Sequence, residues 1–81
     1  MVIRSTIKMP KLGDTVDEVL VVEWLVPVGA TVAVGDPLMT VETDKVDAEV
    51  PTPVAGRLVK QLVQPQDQVA TGSPVAVIES G

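Results

Sequence analysis

A stretch of this chain recurs 37 residues later. Val32-Ala33-Val34-Gly35-Asp36-Pro37-Leu38, continued by Val41-Glu42, is echoed by Val69-Ala70-Thr71-Gly72-Ser73-Pro74-Val75, continued by Ile78-Glu79. The same offset carried backward sets Leu25-Val26 against Leu62-Val63 and Val22 against Val59. Repetition at a fixed period signals stacked repeats or a pseudo-symmetric fold, and two copies are too few for a solenoid. Two similar halves, each unable to bury its apolar face alone, are expected to pack face to face as a β-sandwich or flattened barrel.

Those halves read as strands. The chain holds eighteen Val, seven Thr and three Ile, a β-branched content that favours extended backbone. Seven prolines and six glycines punctuate it too often to leave a window for a periodic helix. Alternation and punctuation predict strands over Ile3 to Met9, Val19 to Val26, Thr31-Val32, Leu38 to Glu42, Ala48 to Val50, Gly56 to Val63, Gln68-Val69 and Val75 to Glu79. Turns fall at Pro27-Val28-Gly29, Gly35-Asp36-Pro37, Pro65-Gln66-Asp67 and Gly72-Ser73-Pro74. The expected fold is all-β: two roughly four-stranded sheets with internal pseudo-two-fold symmetry. Such an axis would put the turn that follows Glu42 and the chain termini at opposite ends of the domain.

At 81 residues the chain is expected to form one domain over 1–81, burying about 60–65% of its unfolded surface, so a large substrate pocket would consume its core. A net charge of −5 without clustered Lys or Arg argues against a nucleic-acid surface. With neither Cys nor His there is no disulfide framework, no thiolate or imidazole metal site and none of the commonest nucleophile–base pairs. No apolar stretch approaches a membrane span, and Met1-Val2-Ile3-Arg4-Ser5 lacks a signal-peptide pattern. The expectation is a soluble, cytoplasmic protein with no nucleic-acid or membrane partner.

Glu42-Thr43-Asp44-Lys45-Val46-Asp47-Ala48-Glu49-Val50-Pro51 sets one lysine among acidic neighbours at an apparent hairpin tip. Val41 before it, and Ala48 and Val50 after it, continue the apolar alternation of two strands, while Thr43-Asp44-Lys45 is turn-compatible. An Asp-Lys pair alone would be an ordinary exposed ion pair, common and worth little. The run as a whole resembles the attachment site of lipoyl domains, carried by 2-oxo acid dehydrogenase acyltransferases, in which a Glu-Thr-Asp-Lys segment presents the modified lysine.

The resemblance extends from Met9-Pro10 to Ile78-Glu79 and implies a barrel-sandwich hybrid, a carrier that catalyses nothing itself. It implies lipoic acid in amide linkage to Lys45, with Asp44 and Val46 as recognition neighbours. It also implies a set of partners: a lipoate ligase or lipoyl transferase, a thiamine-dependent 2-oxo acid decarboxylase, an acyltransferase core and a dihydrolipoyl dehydrogenase. If the source is a eukaryote, the resemblance places the chain in the mitochondrial matrix. A rigid, exposed tip suits an arm that a ligase must reach and that must then enter other enzymes' clefts.

Other residues carry less. Lys8, Lys11 and Lys60 read as solvated charges, as do Glu42 and Glu49 flanking the tip. Asp44 has a second role open to it as a turn former, its side chain bonding an amide two residues on. Gly13-Asp14-Thr15-Val16-Asp17-Glu18 reads as a polar connection, corresponding to the loop by which lipoyl domains are distinguished by partner dehydrogenases. After the glutamate matching Glu18 the family commonly has glycine, whereas this chain has Val19; the pseudo-equivalent place in the second half is Gly56, where a tight approach is expected to survive. Trp24, the only aromatic residue, reads as a packing anchor. Two rival readings stand beside the lipoyl one. Biotin carriers look like the same fold but present Met-Lys-Met, against Asp44 and Val46 here; an unmodified β-domain of a membrane-fusion adaptor would leave Lys45 bare.

Overall fold

Eight strands form in the computed structural model, which describes residues 2–12, 17–44 and 46–80: β1 (Ile3–Lys8), β2 (Glu18–Trp24), β3 (Thr31–Val32), β4 (Pro37–Glu42), β5 (Asp47–Pro51), β6 (Gly56–Gln61), β7 (Gln68–Ala70) and β8 (Pro74–Ser80). They make two four-stranded antiparallel sheets, ordered β1-β8-β6-β3 and β5-β4-β2-β7, so the expected sandwich holds and no closed barrel forms. Shifted by 37 residues, β2, β3 and β4 become β6, β7 and β8, and each sheet's order becomes the other's.

The correspondence reaches individual pairs. In the first half Leu20 faces Glu42, Val21 faces Val41, Glu23 faces Thr40 and Trp24 faces Met39. Their counterparts Arg57–Glu79, Leu58–Ile78, Lys60–Val77 and Gln61–Ala76 are paired in the second. Both ladders skip one residue at the same place, Val22 and Val59, which marks a bulge in each half. A further register shift frees Leu38 in β4, and its counterpart Val75 in β8. Strict alternation would send one of two successive residues to solvent; with the shift, Leu38–Met39 and Val75–Ala76 are all buried.

The core is correspondingly built from equivalent positions: Val21 with Leu58, Val32 with Val69, Leu38 with Val75, Val41 with Ile78. The single aromatic packs at its edge. Trp24 is half-buried at the end of β2, against the core cluster, and its indole Nε1–H donates to the Val63 carbonyl at 2.9 Å. The expectation of a packing anchor is met, with the hydrogen bond as a second function.

Strand ends differ from expectation by one to two residues. β2 and β6 stop at Trp24 and Gln61, short of Val26 and Val63, because the chain crosses there from one sheet to the other. Leu25 N–H still donates to the Leu38 carbonyl, and Leu62 N–H to that of Val75. Beyond the crossings, Gly29 N–H donates to Leu58 O at 2.7 Å and Gln66 N–H to Val21 O at 2.8 Å, which ties each half to the other. Glu18, expected in the loop after the first strand, belongs instead to β2 and faces Ala70. Residues 13–16 of that loop lie outside the described residues.

This crossing pattern separates the two ends. β2 leaves the Glu42–Asp47 pair, passes the sandwich centre at Trp24, and reaches Leu58 beside the Arg57–Glu79 pair only at Gly29. The turn end of the β4–β5 hairpin, at Glu42–Asp47, and the Ile3–Ser80 pair therefore occupy opposite ends of a body 40 Å long and 21 × 18 Å across.

Candidate functional site

β4 and β5 form a hairpin whose last ladder pair is Glu42–Asp47. Inward-facing Val41 and Val50 are fully buried, which fixes the register, since a slip of one residue would expose both. Beyond Glu42–Asp47 the strands are joined through Thr43 and Val46. Thr43 N–H donates to the Val46 carbonyl at 3.0 Å, and the Thr43 hydroxyl donates to the same carbonyl at 2.7 Å. Val46 N–H in turn donates to Thr43 Oγ1 at 3.2 Å. Thr43 and Val46 are thus bonded to each other through both main chain and side chain.

Lys45 itself lies outside the described residues. Its two neighbours do not. Asp44 is exposed, and Val46 shows 64% of its surface. The turn-forming role open to Asp44 falls to the preceding residue: the amide two residues beyond Asp44, that of Val46, is bonded to the Thr43 hydroxyl. Glu42 and Glu49 are exposed, as are Lys8, Lys11 and Lys60.

Between the tip and the neighbouring strands lies an open depression of about 450 Å³ lined by Glu18, Val19, Leu20, Glu42, Thr43, Asp44 and Gln68. Among the described residues its charged lining is acidic: Glu18, Glu42 and Asp44. The counterpart region at the far end is not, for Glu79 pairs in the ladder with Arg4 and with Arg57, and its carboxylate Oε2 accepts from Arg4 Nε at 3.1 Å. Glu42, the counterpart of Glu79, faces Asp47 and Leu20 instead. Among the described residues, one half thus pairs its end carboxylate with arginines, and the other pairs the equivalent carboxylate with Asp47 and Leu20.

Val19 settles the question raised by the missing glycine. It is buried and pairs with Val69, while Gly56 at the equivalent place has φ +152°. A Cβ built on Gly56 would collide with the Glu79 carbonyl oxygen and come within 2.8 Å of Ile78 Cγ2. The tight approach survives in the second half alone, and Val19 instead adds its side chain to the core.

The Thr43–Val46 closure and the contributions of Leu20 and Gln68 escape a reading of the sequence. Leu20 and Gln68 meet the tip only because β2 is the strand shared by β4 and β7. The threonine was open to discovery in principle, since Ser and Thr hydroxyls commonly bond backbone groups of a following turn.

Comparison with known proteins finds relatives among both lipoyl- and biotin-related proteins. Residues 5–78 match the family described as "Biotin-requiring enzyme". The chain is 47% identical over 74 residues to the dihydrolipoyllysine-residue acetyltransferase component of the pyruvate dehydrogenase complex of Corynebacterium glutamicum, covering 91% of this chain and 11% of that protein. It is 40% identical over 77 residues to the succinyltransferase component of the 2-oxoglutarate dehydrogenase complex of Bartonella vinsonii subsp. berkhoffii, covering 95% of this chain and 19% of that one. Among solved structures, the lipoyl domain of the 2-oxoglutarate dehydrogenase complex of Azotobacter vinelandii superposes with a TM-score of 0.73 at 25% identity, covering 94% of this chain and 96% of that domain. A single-chain, multi-domain long-chain acyl-CoA carboxylase superposes with a TM-score of 0.74 at 30% identity, covering 91% of this chain and 7% of the carboxylase. The chain thus spans a small fraction of the curated relatives' length.

Proposed function

Since the chain belongs to the biotin- and lipoyl-carrier family, matched over residues 5–78, we propose that it carries lipoate in amide linkage to the Lys45 Nζ, as a non-catalytic domain of a 2-oxo acid dehydrogenase acyltransferase. The observation that carries this is the β4–β5 hairpin: a register pinned by buried Val41 and Val50, a turn closed by Thr43 and Val46, and exposed Asp44 and Val46 on either side of position 45. An amide-linked arm needs a firm base and free access rather than a pocket, and the described residues around the tip fit that need.

Attached lipoate supplies a dithiolane whose disulfide can take up an acyl group and be reduced. The chain's own residues do the rest: the hairpin fixes where the arm starts, and the exposed side chains flanking position 45 are available to a modifying ligase or transferase. The crossing strands keep the tip at the end remote from Ile3 and Ser80, where a connecting chain would join. A tethered carrier works by raising local concentration, so an arm aimed away from its tether sweeps the largest accessible volume. The proposed partners are a thiamine-dependent decarboxylase, the acyltransferase core and a dihydrolipoyl dehydrogenase, with a cytoplasmic location, or the mitochondrial matrix in a eukaryote, belonging to the same proposal.

Lipoate is favoured over biotin by the flanks of Lys45, aspartate and valine rather than two methionines. The curated relatives support the same reading, with 47% identity to an acetyltransferase component and 40% to a succinyltransferase component. The test is intact-mass measurement after incubation with lipoate ligase, ATP and lipoate, and separately with biotin ligase, ATP and biotin. Wild-type protein gains the mass of one lipoyl group and Lys45→Arg gains none while keeping its fold, since arginine cannot form the amide. A biotinylated wild type, or a lipoylated Lys45→Arg variant, would overturn the assignment.

A further inference from the structure

Two of the bonds that close the tip use a side chain, and this gives Thr43 a role that its place in the hairpin does not require. A ladder pair needs only backbone groups, and Glu42–Asp47 immediately before it is such a pair. At Thr43 the hydroxyl is added: it donates to the Val46 carbonyl at 2.7 Å and accepts from the Val46 amide at 3.2 Å, alongside the backbone bond of 3.0 Å. The hydroxyl thus bridges both polar groups of the residue that follows Lys45. We propose that Thr43 is a positioning residue for the modification of Lys45, acting through Val46 to hold the two-residue tip in the one conformation a ligase accepts.

The inference rests on the carrier reading above and deepens it. The physical argument is one of population. The Val46 side chain is mostly exposed, so packing contributes little to holding that residue; without the hydroxyl, one backbone bond in contact with water would remain between positions 43 and 46. An exposed bond of that kind is worth little net, so the tip would sample other turn conformations while the strands below stay paired. A ligase that binds one conformation then sees its apparent affinity reduced by the fraction of tips in that state. The defect belongs in KM, because a domain once bound presents the same amine.

The variants are Thr43→Val, nearly isosteric and β-branched but without the hydroxyl, and Thr43→Ser, which keeps it. Initial rates of lipoylation by purified lipoate ligase are measured against domain concentration, with amide hydrogen exchange at Val46 and urea unfolding measured on the same samples. We expect T43V to raise KM roughly tenfold with kcat within about twofold, to speed exchange at Val46, and to leave the unfolding midpoint nearly in place; T43S should restore KM and protection. A T43V domain modified like wild type, or a T43S domain as poor as T43V, would overturn the proposal. So would loss of the fold in T43V, which would make the hydroxyl a structural requirement. A wild-type domain that is never lipoylated would instead overturn the carrier reading, and unchanged exchange at Val46 in T43V would sink the Thr43 role independently of it.

Discussion

Trp24 and Gln61 are counterparts that bind the two halves to each other reciprocally. Trp24 Nε1–H donates to the Val63 carbonyl at 2.9 Å, and Gln61 Nε2–H donates to the carbonyl of Val26, the counterpart of Val63, at 3.1 Å. Residues as unlike as an indole and a primary amide thus meet one geometric demand: each crossing frees a carbonyl that no ladder partner reaches, and a part-buried carbonyl without a donor is costly.

Removing either donor therefore weakens the join between halves without emptying the core. Trp24→Phe and Gln61→Ala are each expected to lower unfolding free energy by about 1 kcal/mol, the net worth of one hydrogen bond plus an orphaned acceptor. Urea titration followed by far-UV circular dichroism reads both. If neither midpoint moved, water would be satisfying Val26 and Val63 equally well.

The turns at the crossings differ in one residue that matters. Gly29 and its counterpart Gln66 are the third residues of turns closed by Ala30 N–H to Pro27 O and Asp67 N–H to Gln64 O, with φ +99° and +78°. The left-handed region costs a side-chain-bearing residue roughly 1–2 kcal/mol, whereas glycine adopts it freely and gives back about 0.5–1 kcal/mol in unfolded-state entropy. Gln66→Gly should thus raise stability by about 0.5 kcal/mol, visible as a higher thermal midpoint. A clear fall would show that the Gln66 side chain compensates its own backbone.

Gly56 admits no side chain. With φ +152° and a would-be Cβ driven into the Glu79 carbonyl, Gly56→Ala must displace β8, a strand paired on both sides. A loss of roughly 2 kcal/mol or more is expected by chemical denaturation, well beyond the usual surface substitution. An alanine variant of ordinary stability would mean the two strands can part locally at little cost.

The acidic end offers a charge test. Asp47 faces Glu42 where Arg4 faces the counterpart Glu79. Like charges directly opposite in a ladder are unfavourable by a few tenths of a kcal/mol, up to about 1. Asp47→Arg should then stabilise the domain by about 0.5 kcal/mol at low ionic strength, and most of that gain should vanish in about 1 M salt. An effect indifferent to salt would assign the change to packing rather than charge.

Much of this was legible before any coordinates. The 37-residue offset of Val32 to Leu38 against Val69 to Val75 announced both halves, and β-branched runs between Gly-x-Pro turns located eight strands. Val19 against Gly56 even anticipated where the halves part company. What stayed hidden has a common cause. The bulges at Val22 and Val59 and the register shifts beside Leu38 and Val75 belong to strand pairs, and the Trp24 and Gln61 bonds to contacts between the halves; alternation within one strand carries no information about its partner. The site divides similarly: Lys45, Asp44 and Val46 stand in a linear motif, whereas Leu20 and Gln68 reach the tip only through strand order.

The symmetry has a consequence for chain connectivity. Ser80 and Ile3 face each other as the counterparts of Thr43 and Val46, so the terminal pair is an open hairpin awaiting its loop. A two-residue link from Ser80 to Ile3 would close it, and new ends could then be cut at any of the exposed turns, yielding circular permutants of unchanged strand order in space. Furnished with the residues of the 43–46 turn, such a ring would display two equivalent tips at opposite poles of a 40 Å body, its halves related as the protomers of a symmetric dimer are.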